Sequence, residues 1–356
     1  MNLLMVSGDV RAAAGAQGEF YEMLRLFHGY WDRIDVVCPR VRQAKARTLF
    51  GRVHLHPAGR FCYPDLRAKL SQPFYSAQEV KRLVRERPYG LMTIHEVPPF
   101  HVSWAALRLA RRFGLPVVSE LHHVEGHPIA VDAASRLRRL VTGWWVRWIK
   151  DRVAAIRTVN AVEVPDYLQA RGVSPERIKV LYSFDIDLDR FRPKKVERDV
   201  DFLFVGRLTA NKGLDIFLKA LALIRPRFPD LKVVVIGQGP KADEWRRLAG
   251  ELGLGRAVEF IAWVKDRQEL TAYYCRAKAL VICSFAEGGP NVALEAMACA
   301  TPVLAPAVGV LKEVLIDGRN GLTVSHRPPD LARAMERLLT EPGAKGLQAV
   351  ARQAAG

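Results

Sequence analysis

Short apolar runs alternate with longer amphipathic stretches along almost all of the 356-residue chain. Short, continuous apolar runs are typical of strands that are buried on both faces of a parallel sheet, and the stretches between them have the period of covering helices. In the first half, these runs predict strands at Leu3–Val6, Ile34–Val37, Val53–Leu55, Leu91–Ile94, Val117–Ser119 and Ala155–Val159. The pattern therefore predicts an α/β fold with parallel sheets.

The alternation pauses at residues 185–200, where DIDLDRFRPKKVERDV is charged and has neither period. We interpret this stretch as a linker. After it, predicted strands return at Phe202–Val205, Lys232–Ile236, Val258–Ile261, Leu280–Cys283 and Pro302–Leu304, with helices at Leu214–Ile224 and Asp243–Leu252. Two Rossmann-like domains follow, one over residues 1–184 and one over 201–356. Ligands bind beyond the carboxyl ends of the strands in such sheets, so site residues are expected directly after strands.

A glutamate, two glycines and a proline begin the stretch EGGPNVALEAMACATPV at residues 287–303. The preceding apolar run predicts a strand, and the pattern predicts a helix over Asn291–Cys299 with Asn291 as its N-cap. A helix N-terminus attracts anions because its first N–H groups are unpaired. Gly288 and Gly289 allow a ligand to approach the backbone closely, so the stretch fits a phosphate group.

Two glutamates, Glu287 and Glu295, stand eight positions apart around this helix start. Carboxylates accept hydrogen bonds from sugar hydroxyls, so the pair beside a phosphate-binding helix end suits a nucleotide sugar. The spacing by itself fits a capped apolar helix with solvated glutamates as well.

A second strand-loop-helix stretch, DFLFVGRLTANKGLD at residues 201–215, places Arg207 and Lys212 in its loop. Two cations at the carboxyl end of a strand can clamp a diphosphate. The alternative is a solvated basic loop, but the combination of both stretches favours a nucleotide-sugar site.

Together the two stretches resemble retaining glycosyltransferases of the GT-B fold, in glycosyltransferase family 4 (the glycosyl transferases of group 1). That family has Gly-Arg-Leu…Lys-Gly after the first strand of its second domain, and Glu-Gly…Glu-Ala-Met-Ala…Pro-Val with glutamates eight apart. VVVIGQGP at 233–240 and PAVGVLKEVLIDGRNGLTV at 306–324 also match. The resemblance implies two Rossmann-like domains whose parallel sheets face a central cleft, with the acceptor on the first and the donor on the second.

The resemblance also implies a role for each matching donor-site residue. Arg207 and Lys212 bind the donor diphosphate and assist its departure, Glu287 contacts the hexose hydroxyls, and Glu295 holds the ribose diol. The same donor-binding set includes backbone N–H donors and the helix start, at Gly288, Gly289 and Asn291.

On the acceptor side, the family often has an active-site histidine after a strand. His122, in PVVSELHHVEGH, takes this place and would hydrogen-bond the transferred sugar, with His123 and His127 as competitors for the assignment. The loop GAQG, from Gly15 to Gly18, stands where the family has a glycine-rich loop near the reaction centre, although the adjacent-glycine form is absent.

Three positions depart from the family pattern. SFDID at 183–187 replaces Asn-Gly-Val-Asp, and Ala300 stands where a glycine usually precedes Thr-Pro-Val. The sequence ends at AVARQAAG, where the family usually continues into a helix that returns to the first domain. We therefore expect a hinge and a domain coupling that differ from those of the family.

The net charge of +17 is concentrated in the first half, where residues 1–183 hold 28 Lys and Arg against 16 Asp and Glu. Within this half, RLRRLVTGWWVRWIKDR at 136–152 combines six basic residues with three tryptophans. Its apolar stripe is Leu137, Leu140, Val141, Trp144 and Trp148. The stripe fits a helix packed on its own domain or a peripheral helix on an anionic membrane. We predict the membrane as a partner and no nucleic acid, because the donor motifs leave little room for a base-stacking groove.

Compartment and metal use follow from smaller signals. The five cysteines form no CxxC pair, NLLMVSGDV starts as a strand rather than a signal peptide, and no apolar run reaches 18 residues. We therefore expect a cytoplasmic protein, peripheral on the inner face of the cell membrane. Asp-x-Asp in DIDLD lies in the linker, and Gly126 and Pro128 oppose a helix at His123 and His127, so no metal and no cofactor are expected.

The sequence thus predicts a retaining, metal-independent glycosyltransferase that moves a hexose from a nucleotide-diphospho-sugar to an acceptor hydroxyl on a lipid-linked or cell-envelope glycan. Two alternatives stay open. One is another GT-B activity, a sugar-nucleotide epimerase or a phosphorylase, and the other is a non-catalytic scaffold that binds a sugar nucleotide. The residues do not identify the sugar, the base or the acceptor.

Overall fold

The computed structural model describes residues 1–10, 14, 19–42, 46–182, 186–262, 264 and 266–340. These residues form two compact units. The first unit contains the described residues of 1–122, 137–159 and 164–182. The second contains residues 123–136 and 160–163 together with the described residues from 186 onward. Two short segments from the first half of the sequence therefore pack with the second unit.

A mostly parallel sheet forms the centre of the first unit. Its strands are β1 (Asn2–Val6), β2 (Arg33–Val41), β3 (Arg47–Leu49), β4 (Val53–Tyr63), β5 (Leu91–His95), β6 (Val117–Glu120), β7 (Ala155–Thr158) and β8 (Ile178–Val180). Their order is β3-β4-β2-β1-β5-β6-β7-β8, and only β3 runs antiparallel to its neighbour among these described strands. The hydrophobic pattern missed β3 and β8 because both are three-residue edge strands with largely exposed side chains.

The helices of the first half are α1 (Glu19–Phe27), α2 (Leu66–Glu86), α3 (His101–Arg112), α4 (Ala133–Ile149) and α5 (Glu163–Gln169). Asp65 is the N-cap of helix α2, and its carboxylate accepts a hydrogen bond from the N–H of Arg67 at 2.7 Å. Helix α3 ends just before Gly114, whose φ of 65° is typical of a glycine that ends a helix. No helix in the described part of the chain is both long and apolar enough to cross a membrane.

A parallel sheet forms the centre of the second unit. Its strands are β9 (Val200–Val205), β10 (Val233–Ile236), β11 (Val258–Ile261), β12 (Ala277–Val281), β13 (Val303–Ala305) and β14 (Gly321–Thr323). They lie in the order β11-β10-β9-β12-β13-β14. Its helices are α6 (Leu214–Ile224), α7 (Ala242–Glu251), α8 (Arg267–Arg276), α9 (Asn291–Ala298), α10 (Leu311–Val314) and α11 (Pro328–Thr340). The predicted α/β class with two parallel sheets is confirmed.

Burial on both faces explains why the strands of the second unit are continuously apolar. In β9, Phe202 and Phe204 belong to the core on one face of the sheet, and Leu203 belongs to the core on the other. Because alternate side chains of a strand point to opposite faces, each apolar position of β9 has a core to enter.

The predicted linker is fastened to the second unit. Residues 186–199 contain neither helix nor strand. Phe191 is nevertheless 1% exposed and packs edge-on against Tyr274, with ring centroids 6.1 Å apart. Asp199 accepts two hydrogen bonds from the guanidinium of Arg276, at 2.7 and 2.6 Å. These contacts were not visible in the sequence, because both partners lie about 80 residues further along the chain.

Candidate functional site

The loop between β9 and α6 carries the two predicted cations. Arg207 is exposed, and Lys212 ends a 3-10 turn over Ala210–Lys212. Gly213 follows with a φ of 61°, and a Cβ atom there would lie 2.4 Å from the backbone oxygen of Cys283. Only glycine therefore allows this loop to lie directly against the chain that leaves β12.

The glycines of the stretch VVVIGQGP hold the loop after β10 against the same region. A Cβ atom on Gly237 would lie 1.9 Å from the backbone oxygen of Gly206, and one on Gly239 would lie 2.3 Å from that of Leu208. These glycines thus permit close packing of two loops at the carboxyl edge of the sheet.

Direct contacts join the two sequence motifs into one site. The side-chain nitrogen of Asn211 donates to the backbone oxygen of Ala286 at 2.8 Å, and the N–H of Phe285 donates to the backbone oxygen of Asn211 at 2.9 Å. Next to these two hydrogen bonds, the ammonium of Lys212 forms an ion pair with the carboxylate of Glu287. The motifs meet because β9 and β12 are neighbours, so the loops after them lie at the same edge.

A segment from the first half of the sequence holds the Glu-Gly-Gly turn from another side. The backbone oxygen of Gly288 accepts hydrogen bonds from the N–H of Val310 at 3.2 Å and from the side-chain amide of Asn160 at 3.3 Å. The sequence analysis missed Asn160, although its position after a predicted strand was a signal that could have found it.

Glu163 and Gly309 complete this support. Gly309 has a φ of 54°, and a Cβ atom on it would lie 2.4 Å from the backbone oxygen of Glu287. The N–H of Gly309 donates to Oε2 of Glu163 at 3.1 Å, and Lys312 forms an ion pair with the same oxygen at 3.1 Å. Burial raises the pKa of Glu163, against the opposing effects of these two partners.

Glu295 is set deeper than Glu287. Its side chain lies in α9, the residue is 8% exposed, and its Oε2 accepts a hydrogen bond from the hydroxyl of Tyr274 at 2.8 Å. Tyr274 is fully buried, so burial and then the nearby Glu295 carboxylate raise its pKa well above the usual value. The tyrosine thus fixes one carboxylate oxygen of Glu295.

Asn291 does not cap α9. Pro290 occupies the N-cap position with an extended backbone and no side-chain hydrogen bond, and Asn291 is already the first helical residue. The predicted N-cap was therefore wrong, because the helix begins one residue earlier than an Asn291 cap requires. Asn291 still lies at the helix N-terminus, beside Gly288 and Gly289.

His123 shares the charged surroundings of the donor motifs. The residue is exposed, yet desolvation by the surrounding protein lowers the pKa of its ring. Glu287 acts to raise this pKa, and Lys212 and Arg207 act to lower it. The structure therefore places His123 in the second unit, within the electrostatic field of three predicted donor-binding residues.

His122 lies in a different group of side chains, within the first unit. Nε2 of His122 is 3.5 Å from Oε2 of Glu120, and Nε2 of His95 is 3.0 Å from the same oxygen. The two rings meet edge to face with centroids 4.7 Å apart. Arg157 donates a hydrogen bond from Nη1 to this oxygen at 3.0 Å. The group forms because β5, β6 and β7 are parallel neighbours with His95, Glu120 and Arg157 paired across them.

Electrostatics in this histidine cluster favour the ionised carboxylate of Glu120. Burial acts to raise the pKa of Glu120, but His95, His122 and Arg157 outweigh it and hold that pKa well below its usual value. Burial lowers the pKa of His122, against the effect of Glu120. The ligand-type atoms of His95, Glu120 and His122 lie within 4.8 Å of one another. Arg157 places its positive charge on the oxygen that a metal ion would need, so the arrangement favours an ion-pair network.

The predicted acceptor-side loop, Gly15 to Gly18, lies outside the described residues.

Two sequence families match this chain. One, described as "Glycosyl transferases group 1", matches residues 185–355, and the other, described as "Glycosyl transferase 4-like domain", matches residues 14–183. Among curated relatives, D-inositol 3-phosphate glycosyltransferase 2 of Catenulispora acidiphila is 33% identical over 71% of this chain and 63% of its own length. D-inositol 3-phosphate glycosyltransferase of Pseudarthrobacter chlorophenolicus is 30% identical over 75% of this chain and 67% of its own length. The chain thus spans about two thirds of the length of these relatives.

Solved structures with the same fold cover nearly the whole chain. Sucrose-phosphate synthase of Thermosynechococcus elongatus superposes with a TM-score of 0.81 at 21% identity, over 99% of this chain and 94% of that one. Anabaena HepE, solved in complex with UDP and glucose, superposes with a TM-score of 0.74 at 17% identity, over 100% of this chain and 94% of HepE. At these identities the likeness concerns the fold.

Proposed function

Because the chain belongs to the glycosyl transferases of group 1 and has the GT-B fold, we propose that it is a retaining, metal-independent glycosyltransferase. It moves a hexose from a nucleotide-diphospho-sugar to the hydroxyl of a lipid-linked or cell-envelope glycan. The observation that carries this proposal is the Lys212–Glu287 ion pair at the N-terminal end of α9, with Glu295 held by Tyr274 in the same helix.

The donor fits this site by chemistry. A diphosphate needs cations and N–H donors, which Arg207, Lys212 and the N-terminal end of α9 supply. Sugar hydroxyls need acceptors, which the carboxylates of Glu287 and Glu295 supply. HepE, which shares the fold, was solved with UDP-glucose as well, which supports a nucleotide sugar as the donor.

In the reaction, the bond between the hexose C1 and the diphosphate breaks, and its electron pair leaves with the nucleoside diphosphate. Arg207 and Lys212 stabilise this developing negative charge. The acceptor oxygen bonds to C1 on the same face, and its proton passes to the departing diphosphate. Glu287 holds the hexose by its hydroxyls while C1 reacts.

The proposal extends to a peripheral site of action on an anionic membrane, which rests on three helices of the first half. On α2, Leu66, Leu70 and Phe74 are 67%, 73% and 60% exposed, and their i, i+4, i+8 spacing places them on one face. On α4, Leu137, Leu140 and Trp144 are 60%, 68% and 61% exposed. Helix α3, which packs against α2, adds the exposed Trp104.

Charge on the same three helices is strongly positive. Helix α2 holds five basic and two acidic residues, α3 holds three basic residues, and α4 holds four, while neither α3 nor α4 contains Asp or Glu. Each basic group near an anionic surface contributes about 1 kcal/mol, and the exposed apolar side chains add burial in the headgroup region. We call this set of exposed side chains on α2, α3 and α4 the apolar-basic surface.

One of the three tryptophans assigned to the membrane is instead part of the core. Trp145 is 2% exposed and stacks on Phe100, with ring centroids 5.2 Å apart and planes inclined by 3°. Trp144 is the exposed one of the pair, because consecutive helical residues point in different directions.

The function is tested by incubating the purified protein with UDP-, GDP- and ADP-hexoses without added metal. Two acceptor arms are needed: a lipid-linked glycan in anionic vesicles, and D-inositol 3-phosphate, for which the relatives are named. Transfer with retention of the anomeric configuration on a lipid-linked acceptor supports the proposal. Transfer only to inositol phosphate overturns the proposed acceptor, and formation of an epimer or a sugar phosphate from donor alone overturns the transferase.

A further inference from the structure

Glu120 has no role in the donor motifs, yet it lies at the centre of the histidine cluster. It is 3% exposed, and its Oε2 atom faces a guanidinium nitrogen and two imidazole nitrogens at 3.0 to 3.5 Å. A buried carboxylate needs such partners. Arg157 alone compensates the charge of Glu120, so the two imidazoles on the same oxygen require another explanation.

His95 contacts Glu120 from a second strand. Oγ of Ser7 accepts a hydrogen bond from the N–H of Asp9 at 3.1 Å and lies 3.3 Å from Nδ1 of His95. Nε2 of His95 lies 3.0 Å from Oε2 of Glu120.

The same carboxylate acts on His122. Its Nε2 faces Oε2 of Glu120 at 3.5 Å, so the neutral ring gains an attractive contact only when Nε2 carries the proton. Nδ1 of His122 then presents a lone pair, and 33% of the side chain is open to solvent. A lone pair on an accessible ring accepts a hydrogen bond from a sugar hydroxyl, whereas an N–H at that position cannot.

We propose that Glu120 is a positioning residue of the transfer reaction, which orients His122 and favours its Nε2–H tautomer so that Nδ1 accepts a hydrogen bond from a hydroxyl of a sugar bound at the first unit. The proposal rests on the proposed function for its catalytic consequence. Its structural part, the tautomer of His122, does not depend on that function. Arg157 and His95 hold the carboxylate in place from the two sides.

The test uses Glu120→Gln in the full chain, because glutamine keeps the size of the side chain and removes its charge. Histidines labelled with ¹⁵N are assigned by single His→Gln variants, and long-range ¹H–¹⁵N spectra report which ring nitrogen carries the proton. We expect the Nε2–H form for His122 in the unaltered protein, and a shifted tautomer population for His122 in the variant.

Kinetics then connect the tautomer with catalysis. We expect Glu120→Gln to lower kcat at least tenfold with unchanged affinity for the free nucleoside diphosphate, since the proposed diphosphate contacts lie in the second unit. Glu79→Gln is the matched control, because it removes another partly buried carboxylate that pairs with a histidine in the first unit. It leaves both kcat and the His122 spectrum unchanged.

Three outcomes overturn the proposal. They are an Nδ1–H form of His122 in the unaltered protein, an unchanged kcat and tautomer in Glu120→Gln, or stoichiometric Zn²⁺ binding that shifts the signals of both rings. The last would show that the Nε2 atoms carry lone pairs for a metal ion. If no donor is turned over at all, the proposed function fails while the spectra still decide the tautomer.

Discussion

At the scale of single residues, the two glutamates of the donor motif are distinguished by their partners. Glu287 is paired with Lys212, a group that a diphosphate would also attract, so this carboxylate can exchange its partner when a donor binds. Glu295 is paired with Tyr274, a buried neutral hydroxyl that no ligand displaces. Glu287 can therefore change its partner when a ligand binds, whereas the carboxylate of Glu295 stays in place.

The cations Arg207 and Lys212 act on the leaving diphosphate. Replacing either with alanine removes a charge-assisted contact that strengthens as negative charge develops, at a cost of about 2–4 kcal/mol in the transition state. We expect a fall in kcat of roughly 30-fold to 1,000-fold with an unchanged melting temperature, measured by a product assay and calorimetry. Lys219→Ala, which removes an exposed lysine of α6, is the control. Near-normal turnover in both variants would falsify the diphosphate assignment.

Glu295 should contact the nucleoside, and Glu287 should contact the sugar. We expect Glu295→Gln to weaken binding of the free nucleoside diphosphate and of the whole donor alike, and Tyr274→Phe to do so to a smaller extent, because it releases one carboxylate oxygen. Glu287→Gln should weaken only ligands that carry the hexose. Isothermal titration with both ligands measures this, and equal losses for the bare nucleotide in the two glutamate variants would contradict the assignment.

At the scale of elements, a network of charged groups joins β2, β4 and α2. Asp35 has a fully buried side chain and accepts hydrogen bonds from Arg33 and from the hydroxyl of Tyr89, both at 2.7 Å. Nε2 of His56 lies 2.6 Å from Asp35, and its Nδ1 lies 3.3 Å from Glu79. One histidine thus links a strand to the helix that covers it.

This network predicts a pH window for the stability of the first unit. Burial acts to lower the pKa of His56, but Asp35 and Glu79 raise it overall above 6.5, so its contribution is lost as pH rises through the raised value. Hydrogen bonding to His56 lowers the pKa of Glu79 from 4.5 to about 2, so its contribution is lost as pH falls towards about 2. The network therefore stabilises most between about pH 4.5 and 6.5.

The variant His56→Gln removes the contribution of this histidine to the pH dependence of stability. Between pH 6 and 8.5 we expect the urea midpoint of the unaltered protein to fall and that of the variant to change much less. His101→Gln, at an exposed histidine of α3, should follow the unaltered protein. Parallel pH profiles for His56→Gln and the unaltered protein would show that His56 does not gain a proton in the folded state.

The apolar-basic surface makes a prediction about helices rather than single groups. Leu70→Glu with Phe74→Glu on α2, or Leu140→Glu with Trp144→Glu on α4, places charges where burial in a headgroup region is proposed. We expect each pair to reduce sedimentation with anionic vesicles at least tenfold and to leave donor binding intact. Leu223→Glu is the control, because Leu223 is 55% exposed on α6 of the second unit. Equal sedimentation of all variants would place the membrane contact elsewhere.

At the scale of the whole molecule, positive charge has two proposed roles. The cations of the donor site bind the diphosphate, and the basic first half binds an anionic membrane. Since Arg207, Lys212 and a helix N-terminus supply positive charge at the diphosphate, we expect turnover to survive EDTA. An assay with 5–10 mM EDTA, with added Mg²⁺ or Mn²⁺ as the opposite arm, measures this. Loss of activity in EDTA with recovery in Mn²⁺ would overturn the metal-independent mechanism.

The sequence by itself determined the fold class and the donor motifs of this protein. Both are local properties: apolar runs report strands that are buried on two faces, Arg207, Lys212 and Glu287 lie in the loops that follow such runs, and Glu295 lies in the next helix. The edge strands β3 and β8 escaped this reasoning because their side chains are exposed, and β14 escaped it because it is only three residues long. The start of α9 at Asn291 was predicted, but its N-cap was placed one residue too late because helix ends depend on backbone geometry.

Only the tertiary structure decided which distant residues meet. Asn160 and Glu163 support the Glu-Gly-Gly turn from more than a hundred positions away, His123 lies in the field of the donor residues, and Glu120 joins His95 to His122. Strand order sets the contacts of Glu120, since it brings the carboxyl ends of β5, β6 and β7 to one edge, and a linear pattern does not contain that order.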